Sequence, residues 1–346
     1  MGRLRVLLLG LVLALACAGP AAAFKPYGWP LRPFHQQHAI RGFFGDPRTV
    51  FEETLLNNGI DGPGDFSFHN GIDIVAADGT KVYPVVSGIV HLIEATAVSV
   101  QTLDGRSFQY FHVVPTVVDG ERAIAGVTVL GEVEAPYGHV HLTEIDGSNV
   151  RNPLLAGHLS PYVDRTRPVV SSIELRRAET GSPLGTLAVC GKVAIVASAF
   201  DRPPLPVPGS FAGLPVTPAY VTWRMQKLGG PMVVPNLVAA DFRRTLPADR
   251  DFWSVYARGT YENAPRFGNQ QFRSMPGRYI FNLSTSLDTK SLANGVYVVI
   301  VTAADERGNL SSLAQRVSVL NIGTPTGCAV PPAPPPTTTG TTTTTP

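Results

Sequence analysis

Along most of this chain apolar and polar residues alternate in runs too short for helices, and tight-turn dipeptides cut the runs apart. From Phe24 to about Asp164 the runs are Ile72–Ala76, Lys81–Val86, Ile89–Ala95, Val98–Thr102, Ser107–Val113, Val127–Leu130 and His139–Ile145. Between them stand Asp78-Gly79, Ser87-Gly88 and Asp104-Gly105, and Asp-Gly between alternating apolar residues is a strong hairpin signal. The pattern predicts an antiparallel β-sheet domain with little helix. Ahead of it, Ile40 to Arg48 reads as a glycine-broken entry strand. Residues 49–67 show no clear periodicity and are expected to form a loop or short helix, able to overhang whatever follows or equally to be disordered.

The alternation changes style after the segment Pro161–Pro168. Strands are expected at Ser171–Arg176, Lys192–Ala199, Tyr220–Met225, Arg278–Leu283 and Val296–Ala304, and then, past an Asp305–Asn309 turn, at Gln315–Leu320. About six short strands in roughly 155 residues suggest an immunoglobulin-like β-sandwich. Residues 202–218 and 226–277 read as long inserted loops. The end of the chain, Pro331 to Pro346, is Pro and Thr with one Gly, a composition that buries no core and reads as an extended spacer open to glycosylation.

Composition agrees with a mainly β fold. The 346 residues allow two domains of ordinary size, and Gly 34, Pro 31 and only 16% charged residues favour turn-rich strands over helical bundles. A net charge of +2 without a clustered basic face gives no reason to expect nucleic acid. Residues 1–23 read as a secretory signal, with Arg3 and Arg5, an apolar Val6 to Ala16 and a small-residue Ala21 to Ala23 cleavage site. That apolar run is too short to span a bilayer, and no other segment reads as transmembrane. The expectation is a secreted or cell-envelope protein. A lipoprotein anchored through Cys17 is the alternative, weakened by the poor lipobox Ala14-Leu15-Ala16. Removing the signal leaves Cys190 and Cys328, which in an oxidising setting imply one bridge. Closing so long a loop is worth ~4–5 kcal/mol on the disputed chain-entropy account.

Two small clusters carry the candidate chemistry. Phe68-His69-Asn70-Gly71-Ile72-Asp73 sets a histidine and a carboxylate four residues apart, and Gly138-His139-Val140-His141-Leu142-Thr143-Glu144 sets two histidines on one face of a strand. Two histidines and one carboxylate drawn from these clusters close three corners of a zinc tetrahedron, leaving the fourth open for water as catalytic sites do. Glu144 reads either as a partner that orients a metal histidine or as a rim or salt-bridge carboxylate. His91, His158, His35 and His38 read as structural or solvated. The chain has no H-E-x-x-H, no G-x-S-x-G and no phosphate-binding glycine loop.

Taken in order, His69 to Asp73, Tyr110-Phe111-His112 and His139 to His141 resemble the lysostaphin/LytM-type zinc metallopeptidases, which cut bacterial cell-wall peptides. The entry Gly42-Phe43-Phe44-Gly45-Asp46-Pro47-Arg48 and the later Asn152-Pro153-Leu154 are similar as well, so the resemblance spans about residues 29 to 160. It implies that His69, Asp73 and His141 hold one zinc ion per chain, that His139 is the general base, and that His112 orients water or stabilises the oxyanion. It implies peptidoglycan peptides as substrate. Leu142 and Thr143 depart from the family's common Phe, and the segment before His69 is long, which bears on substrate choice. The expected organisation is a signal peptide at 1–23, a peptidase domain at 24–165, an immunoglobulin-like sandwich at 166–323 available for wall or protein contact, and a tail at 324–346. Two other functions compete: a non-catalytic wall-binding or hydrolase-activating module of the same fold, and an adhesion or scaffold protein acting through the second domain.

Overall fold

The structure, a computed structural model, describes residues 25–52, 62–268, 270–271 and 273–321. The signal segment, Cys328 with its expected bridge to Cys190, and the Pro/Thr tail lie outside the described residues. The fold is mainly β with antiparallel sheets. No helix among the described residues is long and apolar enough to cross a membrane.

The first sheet runs in the order Ile40–Gly42, Ile72–Val75, His139–Asp146, Arg106–Phe111, Ala97–Gln101, Gly88–Glu94, Arg122–Ala123, with Asn149–Arg151 also paired to His139–Asp146. Val140, Leu142, Phe108, Tyr110, Val98 and Val100 are fully buried, the outcome that period-2 alternation demands. A small sheet of Lys81–Val82, Gly131–Val133 and Val113–Pro115 stands beside it. Two expected strands are corrected here. Lys81–Val86 stops at Val82, two residues before Pro84, which has no N–H to give a ladder. Val127–Leu130 opens in a turn, with Val127 N and Thr128 N both donating to Ile124 O at 3.0 Å, and the strand starts only at Gly131.

The second half builds two four-stranded antiparallel sheets. One is ordered Pro183–Leu184, Val169–Arg177, Lys192–Phe200, Ile280–Asp288, and the other Met232–Asp241, Tyr220–Lys227, Gly295–Ala304, Leu310–Val319. Ile173, Leu175, Val193 and Ile195 from the first share one core with Trp223, Met225, Val299 and Val301 from the second. The expected loop 226–277 is not a loop throughout, because it contains the strand Met232–Asp241 and the short helix Phe252–Val255. Pro235 hides that strand in the sequence and is tolerated in the structure because the strand lies at a sheet edge.

A last sheet joins the two halves. Pro47–Phe51 and Gly64–Phe68 form an antiparallel pair, and Arg266–Phe267 from the second half adds to Pro47–Phe51 in parallel, followed by Gln270–Gln271. Residues 49–67 are therefore strand at both ends, not loop or short helix, and 53–61 lie outside the described residues. Thr49-Val50-Phe51 and Phe66 to Phe68 have the β-branched and aromatic residues a strand favours, flanked by Pro47 and Gly64 that obscure it. Phe66 and Phe68 stack with Phe252, Trp253 and Tyr256, with ring centroids 4.6 to 5.8 Å apart. At Gly45, with φ +89°, an added Cβ would lie 2.5 Å from the Phe242 ring, so only glycine lets the entry strand close on the second half. One hydrophobic core runs through both halves.

Candidate metal centre and its cleft

The antiparallel register sets Asp73 directly opposite His141. Paired residues share a sheet face, and His139 lies on that face two positions earlier. His69 arrives from the turn before Ile72–Val75, where Gly71 leaves no room for a side chain: a Cβ there would sit 2.3 Å from Leu142 O and 2.7 Å from His141 Nε2. The result is a tight group. His69 Nε2 is 3.1 Å from Asp73 Oδ1 and 2.8 Å from His141 Nδ1, and His141 Nδ1 is 3.0 Å from Asp73 Oδ1. Donors on a zinc tetrahedron with bonds of about 2.0–2.1 Å stand ~3.3 Å apart, so the spacing suits the ion.

The ring orientations also fit a cation. His69 Nδ1 faces the Phe43 carbonyl at 2.8 Å, and a carbonyl only accepts, so this nitrogen carries the proton. Burial pushes His69 down to about 3, with Arg48 adding to the effect, so the ring is neutral and Nε2 has a lone pair. That lone pair faces a carboxylate oxygen. A cation between these two atoms, 3.1 Å apart, would satisfy both, and His69, Asp73 and His141 together could hold one. His141 Nε2 meets Thr143 Oγ1 at 2.8 Å, which fixes the ring with Nδ1 inward. Burial alone would raise the Asp73 carboxyl, but His69, His139 and Arg48 hold it well below the usual carboxylate range. Its second oxygen accepts from Arg48 Nη2 at 2.8 Å.

His139 and His112 flank the group. His139 Nδ1 faces the Tyr137 carbonyl at 2.9 Å, leaving Nε2 unprotonated 3.5 Å from Asp73 Oδ1, and burial pushes the ring down to about 4. His112 has φ 62°, a left-handed backbone uncommon for a side-chain-bearing residue and frequent where function demands it. Its ring stacks on Tyr137 at 4.0 Å and lies 4.6 Å from the His139 ring. Burial lowers its pKa too. All five residues singled out in the sequence thus meet at one place.

Glu144 does not join them. It points to the opposite face of its strand, fully buried, where Tyr27 Oη donates to it at 2.5 Å and His158 Nδ1 lies at 2.8 Å. His158 is thereby a buried partner of Glu144. His91 is exposed, its side chain at 48%.

The group lies in a cleft of about 1410 Å³ with two walls. One comes from the first sheet, including Arg41 and Tyr137. The other belongs to the second half, including Leu246, Asp249, Glu262, Arg266 and Arg273. Glu262 Oε1 accepts from Thr49 N at 2.7 Å, its Oε2 lies 3.8 Å from Arg48 Nη1, and Asp249 Oδ1 accepts from Phe68 N at 3.1 Å. Sequence reasoning did not find these groups, nor Arg48, Thr143 and Tyr137. Thr143 could have been found, being two residues past His141 on the same strand face. Nothing in the sequence ties Glu262 to Arg48.

No family model matches this chain, and no curated protein does. Solved structures with some likeness exist. One chain in a SpoIIQ–SpoIIIAH pore-forming complex is 18% identical, over 38% of this chain and 90% of that one, with a TM-score of 0.30. An M23 metalloprotease, pseudoalterin, is 16% identical over 44% of this chain and 85% of that one, with a TM-score of 0.26. A chain in a second SpoIIIAH–SpoIIQ complex is 18% identical over 37% of this chain and 97% of that one, with a TM-score of 0.28. At such scores the likenesses do not bear on what the site does.

Proposed function

We propose that the chain is an exported zinc metalloendopeptidase that hydrolyses peptide bonds of bacterial peptidoglycan, in a cross-bridge or a stem peptide. The observation that carries this reading is the convergence of His69 Nε2, Asp73 Oδ1 and His141 Nδ1 within about 3 Å of one another on a cleft wall, with His139 and His112 beside them. Those three donors would hold one zinc ion, which when bound lowers the pKa of a coordinated water towards ~7 and polarises a carbonyl.

The remaining work falls to the chain's own side chains. His139, its Nδ1–H engaged by the Tyr137 carbonyl, presents Nε2 as the base that removes a proton from the attacking water, a contribution of about 10²–10⁴-fold. His112, held by its left-handed backbone and by Tyr137, is placed to orient that water or to stabilise the carbonyl oxygen as charge develops on it. Arg41, Arg266 and Arg273 in the cleft favour peptides that carry carboxylates. The second half, read as an immunoglobulin-like unit, supplies one wall and would therefore select the peptide instead of merely tethering the enzyme.

The deciding experiment is release of soluble muropeptides from purified sacculi by the mature protein. His139→Ala and a chelated sample restored with zinc run beside it. Release abolished by both treatments and recovered with zinc is the expected result. Folded, zinc-loaded protein that releases nothing would overturn the reading in favour of a wall-binding or hydrolase-activating module.

A further inference from the structure

A second group of carboxylates lies away from the cleft, where the two halves are joined. Asp164 stands in the connecting segment, Asp201 directly after the strand Lys192–Phe200, and Asp305 directly after the strand Gly295–Ala304. All three are buried, at 6%, 0% and 2% exposure. One oxygen from each lies within 4.8 Å of the others. Glu306 faces the same group.

The hydrogen bonds at this place leave oxygens without partners. Asp164 accepts from Tyr162 Oη at 3.1 Å and from Thr166 N at 2.8 Å and Oγ1 at 2.5 Å. Asp305 accepts from Arg307 N and Asn309 N at 2.8 Å and from Asn309 Nδ2 at 2.6 Å. Asp201 Oδ1 has only Arg202 N, at 2.8 Å, while Asp201 Oδ2 is buried without a hydrogen bond. Among the described residues no cationic side chain forms an ion pair with any of the four. The nearby arginines are turned elsewhere, Arg202 over the Phe200 ring and Arg307 over the Tyr162 ring. Buried carboxylates in native proteins are paired, protonated or bound to a metal.

We infer that Asp164, Asp201 and Asp305, with Glu306 beside them, form a binding site for a calcium-class divalent cation that fastens the connecting segment to one end of the second half. The donors are all oxygen, with no nitrogen or sulfur, which suits a hard cation and not zinc. Calcium takes six to eight oxygens at about 2.3–2.6 Å, so donors on one ion stand up to ~5 Å apart, in keeping with the separation here. The three chain segments that meet at the site are distant in sequence. A cation there locks the joint between them. The joint is continuous with the cleft, because the same second half supplies the wall that faces His139 and His69.

Three readouts on the full chain test this. The protein is treated with a calcium-selective chelator, its zinc content is checked to be unchanged, and calcium chloride or terbium is titrated in. The expected result is one calcium ion per chain, a calcium-dependent rise in Tm, and terbium luminescence sensitised through Tyr162. Magnesium at the same concentration should shift Tm little. In the paired variant Asp201→Asn, Asp305→Asn all three responses should disappear. Its cation-free Tm should at the same time equal or exceed that of the cation-free parent, because the mutual repulsion of crowded buried carboxylates is relieved. Parent protein that neither binds calcium nor gains Tm would overturn the proposal, as would a variant that binds calcium as the parent does. If the variant fails to fold, an absence of calcium response in the parent still decides the matter. None of these outcomes depends on peptidase activity or on the histidine site.

Discussion

Arg48 holds the Asp73 carboxylate from the side that faces away from the histidines. Its Nη2 lies 2.8 Å from Asp73 Oδ2, while Oδ1 meets His69 and His141. Glu262 from the second half lies 3.8 Å from the other end of the same guanidinium. The carboxylate is thus aimed by a planar two-ended cation, and an ammonium cannot reproduce that geometry. Arg48→Lys is expected to fold normally and to lose about 10–100-fold in zinc affinity, as loss of a group that orients a ligand does. Competition with a chromophoric chelator measures it, and unchanged affinity would remove Arg48 from the site.

Thr143→Val keeps the shape and removes the oxygen that meets His141 Nε2. Far-UV dichroism should be unchanged while zinc affinity falls about 10-fold or more. Equal affinity would mean that packing against Phe111 is enough to orient the ring.

The protonation of His139 should lie well below the ordinary histidine range. Burial pushes His139 down to about 4 and His69 to about 3, from an ordinary 6.5. Between those limits the unfolded chain binds protons that the folded chain refuses. Stability therefore rises with pH through that window and is level above it. The base stays neutral over the same range, so protonation of His139 should not limit kcat/KM until pH approaches about 4, and a limb nearer 7 would belong to the coordinated water. The pH–rate profile, with zinc content followed at each point, tests this. Titration of the His139 ring near 6.5, followed by NMR, would contradict this.

Phe252 joins the halves, packed between Phe66 and Phe68 on one side and Tyr256 on the other. Phe252→Ala should cost ~3–5 kcal/mol in denaturant unfolding. Because one core runs through both halves, the parent should unfold in a single transition. Two separated transitions in the parent would show the halves to be independent.

Most strands of the first sheet were legible in the sequence because alternation and Asp-Gly turns are local signals. The five candidate residues were legible for a related reason. His69 and Asp73, and likewise His139 and His141, sit on short stretches whose geometry is fixed by neighbours. Long-range partners were not legible. Glu262 and Thr49 lie 213 positions apart, and no local rule links them. Met232–Asp241 was hidden by Pro235, whose cost vanishes at a sheet edge that only the assembled fold defines. Glu144 was misplaced between two readings because it follows the histidines in sequence, while strand alternation turns it to the other face. Its partners, Tyr27 and His158, come from either end of the first half.

The parallel pairing of Arg266–Phe267 with Pro47–Phe51 also sets an order of events. A ribosome releases the chain from its N-terminus, so His69, Asp73, His112, His139 and His141 all emerge before the strand that completes the wall opposite them. The candidate site is consequently finished only when nearly the whole chain has been delivered. A nascent or truncated copy carries the five clustered residues without the second wall of their cleft.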